Sequence, residues 1–179
     1  MNYYIADPHF GHDNIRRLCN RPFKTVEEMD AAMIENWNSK VGPDDDVYIV
    51  GDFSYRSGDA VKYLDALNGR KHLVIGNHDT KNLKDPEFRK RFVEIRDIIT
   101  VTDGNIKIVL FHYPMVEWNG MYHGTWHFFG HIHNSNNNAQ EVMSEVLHAI
   151  NIGAEMIGYT PRTAKELTEK GKKASEPWL

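Results

Sequence analysis

The chain has 179 residues, 41% hydrophobic and 26% charged, with a formal net charge of −4. That length and composition are those of one globular domain, 1–179, able to bury a core without disulfides or a structural metal. The single cysteine, Cys19, excludes an internal disulfide framework, no apolar run approaches the roughly 18 residues of a membrane span, and the acidic balance leaves no strong nucleic-acid signal.

Residues 2–6 are apolar and aromatic and lead into Asp7-Pro8-His9-Phe10-Gly11-His12, a strand that delivers polar side chains to a loop. No basic segment and apolar stretch precede them, so no signal peptide is expected and the protein is expected to be cytoplasmic. Thr25 and Glu28 have capping-box spacing, and Val26, Met29, Met33 and Trp37 recur at helical spacing until Gly42-Pro43. Residues 47–50 form a β-branched run that breaks at Gly51-Asp52. A second helix is expected from about Asp59, with Val61, Leu64 and Leu67 on one face and Gly69 as its stop. Residues 72–75 make the next strand, ending at Gly76-Asn77-His78-Asp79. Strands alternating with helices read as α/β.

Further on, 92–101 and 105–112 are two β-rich runs joined by the hairpin signal Thr102-Asp103-Gly104. Residues 113–125 are a polar and aromatic loop. The run 126–129 then ends in Gly130-His131-Ile132-His133, whose two histidines project to the same side of an extended chain. Residues 134–138 read as a loop, 147–152 as one more strand, and Thr163 with Glu166 as the cap of a helix through about Lys170, beyond which the chain frays.

Five apolar runs thus end in side chains that ligate metals: Asp7 and His9, Asp52, Asn77 and His78, His112, and His131 with His133. The carboxyl ends of strands are where open α/β sheets assemble sites. Leaving His78 aside, the other seven residues exceed the needs of one four-coordinate zinc. They suit two ions that share a carboxylate, roughly 3.5–4 Å apart. Nitrogen and oxygen donors favour manganese, iron or zinc over magnesium or calcium.

In this order, Asp7-x-His9, Gly51-Asp52, Gly76-Asn77-His78-Asp79, His112 and Gly130-His131-x-His133 resemble the signature of the calcineurin-like metallophosphoesterases. The first block, extended to His12, and Asn151-Ile152-Gly153 resemble small bacterial and phage members. The resemblance implies a four-layer αββα sandwich. It also implies Asp7, His9, Asp52 and His133 on a first ion and Asp52, Asn77, His112 and His131 on a second, with Asp52 as the bridge. The implied activity is hydrolysis of a phosphate mono- or diester by metal-activated hydroxide attack on phosphorus, the substrate being a phosphorylated small molecule or a nucleotide. Two divalent ions outweigh the charges of Asp7 and Asp52, leaving the site positive for phosphate oxygens.

His78 is the candidate general acid. Members with a longer second block carry an aspartate three residues after the bridging one, which orients this histidine. Tyr55 stands there instead, leaving Asp79 or a backbone carbonyl for that task. Arg56 matches an arginine found in some members and, with His12 and Tyr55, is a candidate substrate contact. Arg16 reads as a solvated residue of a helix start, Cys19 as inert, and His72, His127 and His148 as packing or surface residues. Tyr113, Trp118, Tyr122 and Trp126 fit packing or an interface better than base stacking. Two other functions compete: a non-catalytic metal-binding scaffold, mildly favoured by Tyr55 but opposed by the intact ligand set and His78, and a metal-dependent nuclease, disfavoured by the short chain and acidic balance.

Overall fold

Among the described residues, 1–55 and 60–171 of the computed structural model, eight strands form two four-stranded sheets. The first contains β1 (Asn2–Ile5), β2 (Asp46–Val50), β3 (Arg70–Val74) and β4 (Phe92–Arg96), in that order and all parallel. The second contains β5 (Ile98–Asp103), β6 (Ile106–Phe111), β7 (Trp126–Phe129) and β8 (Ala149–Asn151), antiparallel only between β5 and β6.

The run 92–101, expected as one strand, is two. The chain leaves the edge of the first sheet at Asp97 and enters the second, and no glycine or proline marks the corner. The hairpin that follows is as expected. Asp103 faces Ile106 across a two-residue turn, and Gly104 there has φ 59°, a left-handed value that glycine adopts without penalty.

Helices α1 (Asp13–Leu18), α2 (Val26–Lys40), α3 (Ala60–Ala66), α4 (Pro86–Arg89), α5 (Asn138–Glu145) and α6 (Ala164–Gly171) complete the elements. At the start of α2 the Thr25 hydroxyl accepts the Glu28 N–H at 3.1 Å, and the helix buries Met29, Met33 and Trp37 in the main core. The reciprocal box at Thr163 and Glu166 also forms: the Thr163 N–H donates to Glu166 Oε2 at 2.8 Å and the Glu166 N–H to Thr163 Oγ1 at 3.3 Å. Helix α5 was not expected. The polar tract before it hides an N-cap, Asn137, whose side chain accepts the Gln140 N–H at 3.0 Å. Strand β8 is correspondingly shorter than 147–152.

The main hydrophobic cluster takes in residues of both sheets and of α2, α3 and α6, and within it the Tyr4 ring meets Phe128 edge-on at 5.4 Å while the Tyr4 hydroxyl donates to Asp103 at 2.9 Å. Outside the second sheet, Phe129 and Ile132 pack on Met143 of α5. Helices on the outer faces give the four-layer αββα arrangement expected from the sequence. The sheets are stitched together where β1 ends: the Ala6 N–H donates to Ile152 O, and the Ala154 N–H to Ala6 O, both at 2.9 Å. This seam brings the carboxyl ends of both sheets to one place. No helix among the described residues is long and apolar enough to cross a membrane.

Candidate metal centre

Strands β1, β2, β3, β6 and β7 run out at Asp7, Asp52, Asn77, His112 and His131. Five residues in these loops hold left-handed backbone: Asp7 and His9 at φ 53°, Asp52 at 55°, His131 at 68° and His133 at 50°. Such a conformation costs a non-glycine residue about 1–3 kcal/mol and persists only where surrounding structure enforces it. Three glycines make the crowding possible. A Cβ on Gly51 would run into the His112 ring, one on Gly76 into the Asp52 carboxylate, and one on Gly130 into the Asp7 carboxylate and the Ala6 side chain.

Each carboxylate is held by one oxygen and presents the other. Asp7 Oδ2 accepts the His131 N–H at 2.8 Å, while its buried Oδ1 has no hydrogen-bond partner. Asp52 Oδ1 accepts the His78 N–H at 2.8 Å, while Oδ2 lies 3.6 Å from His9 Nε2 and 3.5 Å from His112 Nε2. His112 donates its Nδ1–H to Val50 O at 3.0 Å, which leaves the Nε2 lone pair facing Asn77 Oδ1 at 3.1 Å. Asn77 Oδ1 is also 3.0 Å from His131 Nδ1. Both nitrogens of buried His9 lack partners, and its ring stacks on His133 at 5.1 Å.

Lone pairs aimed at lone pairs, with unpaired buried acceptors among them, are costly unless a cation fills the space. Burial pushes the Asp7 carboxyl well above its usual range, with Asp52 and Glu155 adding to the shift. Burial pushes His9 well below its own, with His133 and Arg21 adding to it. Three groups have ligand atoms close enough to share an ion: Asp7, His9 and His133; Asp7, Asp52 and His112; and Cys19, His133 and Glu155. The residues present fit metal ions, and all seven expected ligands converge here.

Asp79 does not orient His78. Its fully buried carboxylate accepts N–H groups from Gly76 at 2.8 Å, Asp52 at 2.9 Å and Phe53 at 3.0 Å, so it ties two strand ends together and has no oxygen to spare. Burial and, secondarily, the charge of Asp52 push its carboxyl up to about 7 against those three bonds. The His78 side chain is 37% exposed, with Nε2 3.9 Å from Asp52 Oδ2 and its ring edge-on to Tyr55 at 5.1 Å. Tyr55 also stacks on buried His12 at 3.9 Å, and His12 Nδ1 is without a partner. Arg56 lies outside the described residues.

Sequence reasoning missed several participants. The guanidinium of Arg21 is buried against Asp7 O, Pro8 O and Glu155, and Glu155 in turn approaches His133. Neither residue carries a local signal, because both act across the fold. Asn151 donates to His133 O at 2.8 Å, and Tyr113 packs its ring 4.5 Å from that of His131. Cys19, read as inert, lies beside His133 and Glu155. Arg16 is not simply solvated: it donates to Phe23 O and Lys24 O at 3.1 and 2.7 Å and pairs with Asp13. Trp118 is a packing residue, donating to Thr125 O at 2.9 Å over His127. His72 is a bridge, 2.9 Å from Asp46 and 3.0 Å from Glu94.

No family model matches the chain. Over 176 residues it is 34% identical to the uncharacterized protein MJ1445 of Methanocaldococcus jannaschii, spanning 95% of this chain and 92% of the relative. The chain belongs to the family of that archaeal protein. A solved structure, the protein of unknown function AQ665 from Aquifex aeolicus, superposes with a TM-score of 0.74 at 26% identity, covering 95% of this chain and 98% of the other. A second, described as a novel archaeal phosphodiesterase, superposes at 0.55 with 20% identity over 93% and 94% of the two chains. That likeness places the fold among those of metallophosphoesterase type.

Proposed function

We propose that residues 1–179 form one catalytic domain, a dinuclear-metal phosphoesterase hydrolysing a phosphate mono- or diester. The observation that carries this reading is the position of Asp52 Oδ2 between His9 Nε2 and His112 Nε2, 3.6 and 3.5 Å away, with the orphaned atoms of Asp7 and His9 beside it. The fold shared with the archaeal phosphodiesterase supports it.

Two divalent ions, manganese, iron or zinc, would supply charge for the phosphate oxygens and an activated water. Asp7, His9, Asp52 and His133 would hold one, and Asp52, Asn77, His112 and His131 the other. His112 keeps the required lone pair on Nε2 because Nδ1–H is tied to Val50 O. On the open side His78 hands a proton from Nε2 to the leaving oxygen, held in place by its N–H bond to Asp52 and by the Tyr55 ring. His12 and Tyr55 line the approach of a phosphorylated small molecule or nucleotide, and Arg56, outside the described residues, is a further candidate contact read from the sequence alone.

The test is turnover of bis-p-nitrophenyl phosphate and p-nitrophenyl phosphate by manganese-loaded protein. Activity lost to a chelator and restored by metal is expected. Protein carrying two equivalents of metal yet inert toward every ester offered would point to the scaffold reading.

A further inference from the structure

Arg21 follows the short helix α1, yet its side chain is completely buried and Glu155, its partner, is only 3% exposed. Two charges withdrawn from water cost several kcal/mol each, and apolar replacements of such pairs are often no less stable. Stability is therefore a weak reason for the pair, and its hydrogen bonds suggest a better one. Arg21 donates from Nη2 to Asp7 O at 2.8 Å, from Nη1 to Pro8 O at 2.7 Å and from Nε to Glu155 Oε1 at 2.8 Å. The two carbonyls belong to the turn that keeps Asp7 and His9 at φ 53°. Glu155 Oε1 lies 3.3 Å from His133 Nδ1, which fixes the proton there and leaves Nε2 as the ligating atom.

One ion pair therefore reaches Asp7, His9 and His133, which form one of the three candidate groups. The other side of the centre has different supports. Val50 O holds His112 at 3.0 Å, and Asp79 holds the loops of Asp52 and Asn77. Among the described residues, no hydrogen bond of Arg21 or Glu155 goes to Asn77, His112 or His131.

We propose that the Arg21–Glu155 pair is a positioning unit for a single ion position, that of Asp7, His9 and His133, and sets its affinity separately from the other. The inference rests on the two-ion reading above. Because the support is divided, the two positions fill with different affinities, and a change behind His133 alters only one of them.

The experiment is calorimetric titration of metal-stripped protein with manganese alone, with bound equivalents counted by elemental analysis. Wild type, Glu155→Gln and the paired replacement Arg21→Met with Glu155→Leu are compared. His133→Ala and His131→Ala identify which equivalent belongs to which position. Removing the pair is expected to weaken the equivalent lost in His133→Ala by about 10- to 100-fold and to leave the other within about twofold. Arg21→Lys, which keeps the charge but not the forked geometry, is read in the same way should the paired replacement fail to fold. Equal weakening of both equivalents, no weakening of either, or weakening of the His131 equivalent would overturn the inference while leaving two ions in place. A wild type that binds fewer than two equivalents would overturn the two-ion reading and this inference with it.

Discussion

Asp52 and His78 are joined through the backbone: the His78 N–H donates to Asp52 Oδ1 at 2.8 Å, and the His78 ring carries Nε2 back to within 3.9 Å of Oδ2. The residue proposed to bridge two ions thus fixes the start of the loop that carries the proposed acid. In the proposed assignment, metal position and proton donor share one anchor, so His78 is placed without a carboxylate at position 55.

Asp52→Asn tests the shared vertex. The amide retains an acceptor for the His78 N–H but removes the charge between His9 and His112. Bound manganese is expected to fall below one equivalent at concentrations that give wild type two. Hydrolysis of bis-p-nitrophenyl phosphate should drop by about 10³-fold, or ~4 kcal/mol of barrier. Two retained equivalents with near-normal turnover would remove Asp52 from the bridging position.

His78→Ala separates proton transfer from metal binding. The side chain contributes no ligand atom in the proposed assignment, so metal content should match wild type. Turnover of an ester with an alkoxide leaving group should fall by about 10²–10⁴-fold, the usual contribution of a general acid. A p-nitrophenolate leaving group needs little protonation, so its loss should be much smaller. Equal losses for both leaving groups would show that His78 acts some other way.

The strand ends were legible in the sequence because β-branched and aromatic runs stop abruptly at Asp7, Asp52, Asn77, His112 and His131, and metal-ligand types are conspicuous there. What was not legible is carried by contacts between distant segments. Arg21 and Glu155 are separated by 134 positions, and neither has a periodic or motif signature. Asp79 looked like a partner for its neighbour His78, but its carboxylate turns inward to three backbone N–H groups, a demand visible only once β2 and β3 lie side by side. The corner at Asp97 was hidden because both flanking runs favour strand and only pairing tells which sheet each one joins.

Gly130→Ala probes the crowding around Asp7. Gly130 does not have a left-handed backbone, so the substitution meets no conformational penalty of its own, only contact with the Asp7 carboxylate and the Ala6 Cβ 2.6 Å away. Ala6 belongs to the seam between the sheets and cannot retreat easily. A loss of about 1–3 kcal/mol in urea unfolding of the metal-free protein is expected, together with weaker manganese binding as Asp7 is displaced. Unchanged stability and binding would mean that the seam is softer than its hydrogen bonds indicate.

His127 makes stability depend on pH without belonging to the metal centre. It is fully buried, with Nδ1 donating to Val109 O at 3.1 Å and Nε2 accepting the Met115 N–H at 3.2 Å, so the neutral ring is the one the fold satisfies. Burial lowers its pKa to about 4, against backbone hydrogen bonds with Val109 and Tyr113 that act the other way. An unfolded histidine titrates near 6.5, so between these values the unfolded chain binds more protons than the folded one. The contribution is complete above about pH 6.5 and declines as pH falls toward 4, reaching a loss of about 2 kcal/mol at pH 5. His127→Gln retains an acceptor for Met115 and cannot titrate. It should be less stable than wild type at pH 7.5, yet its urea midpoint should fall less on acidification, by an amount equivalent to about 2 kcal/mol at pH 5. Parallel midpoint curves for the two metal-free proteins would assign the acid sensitivity to other groups.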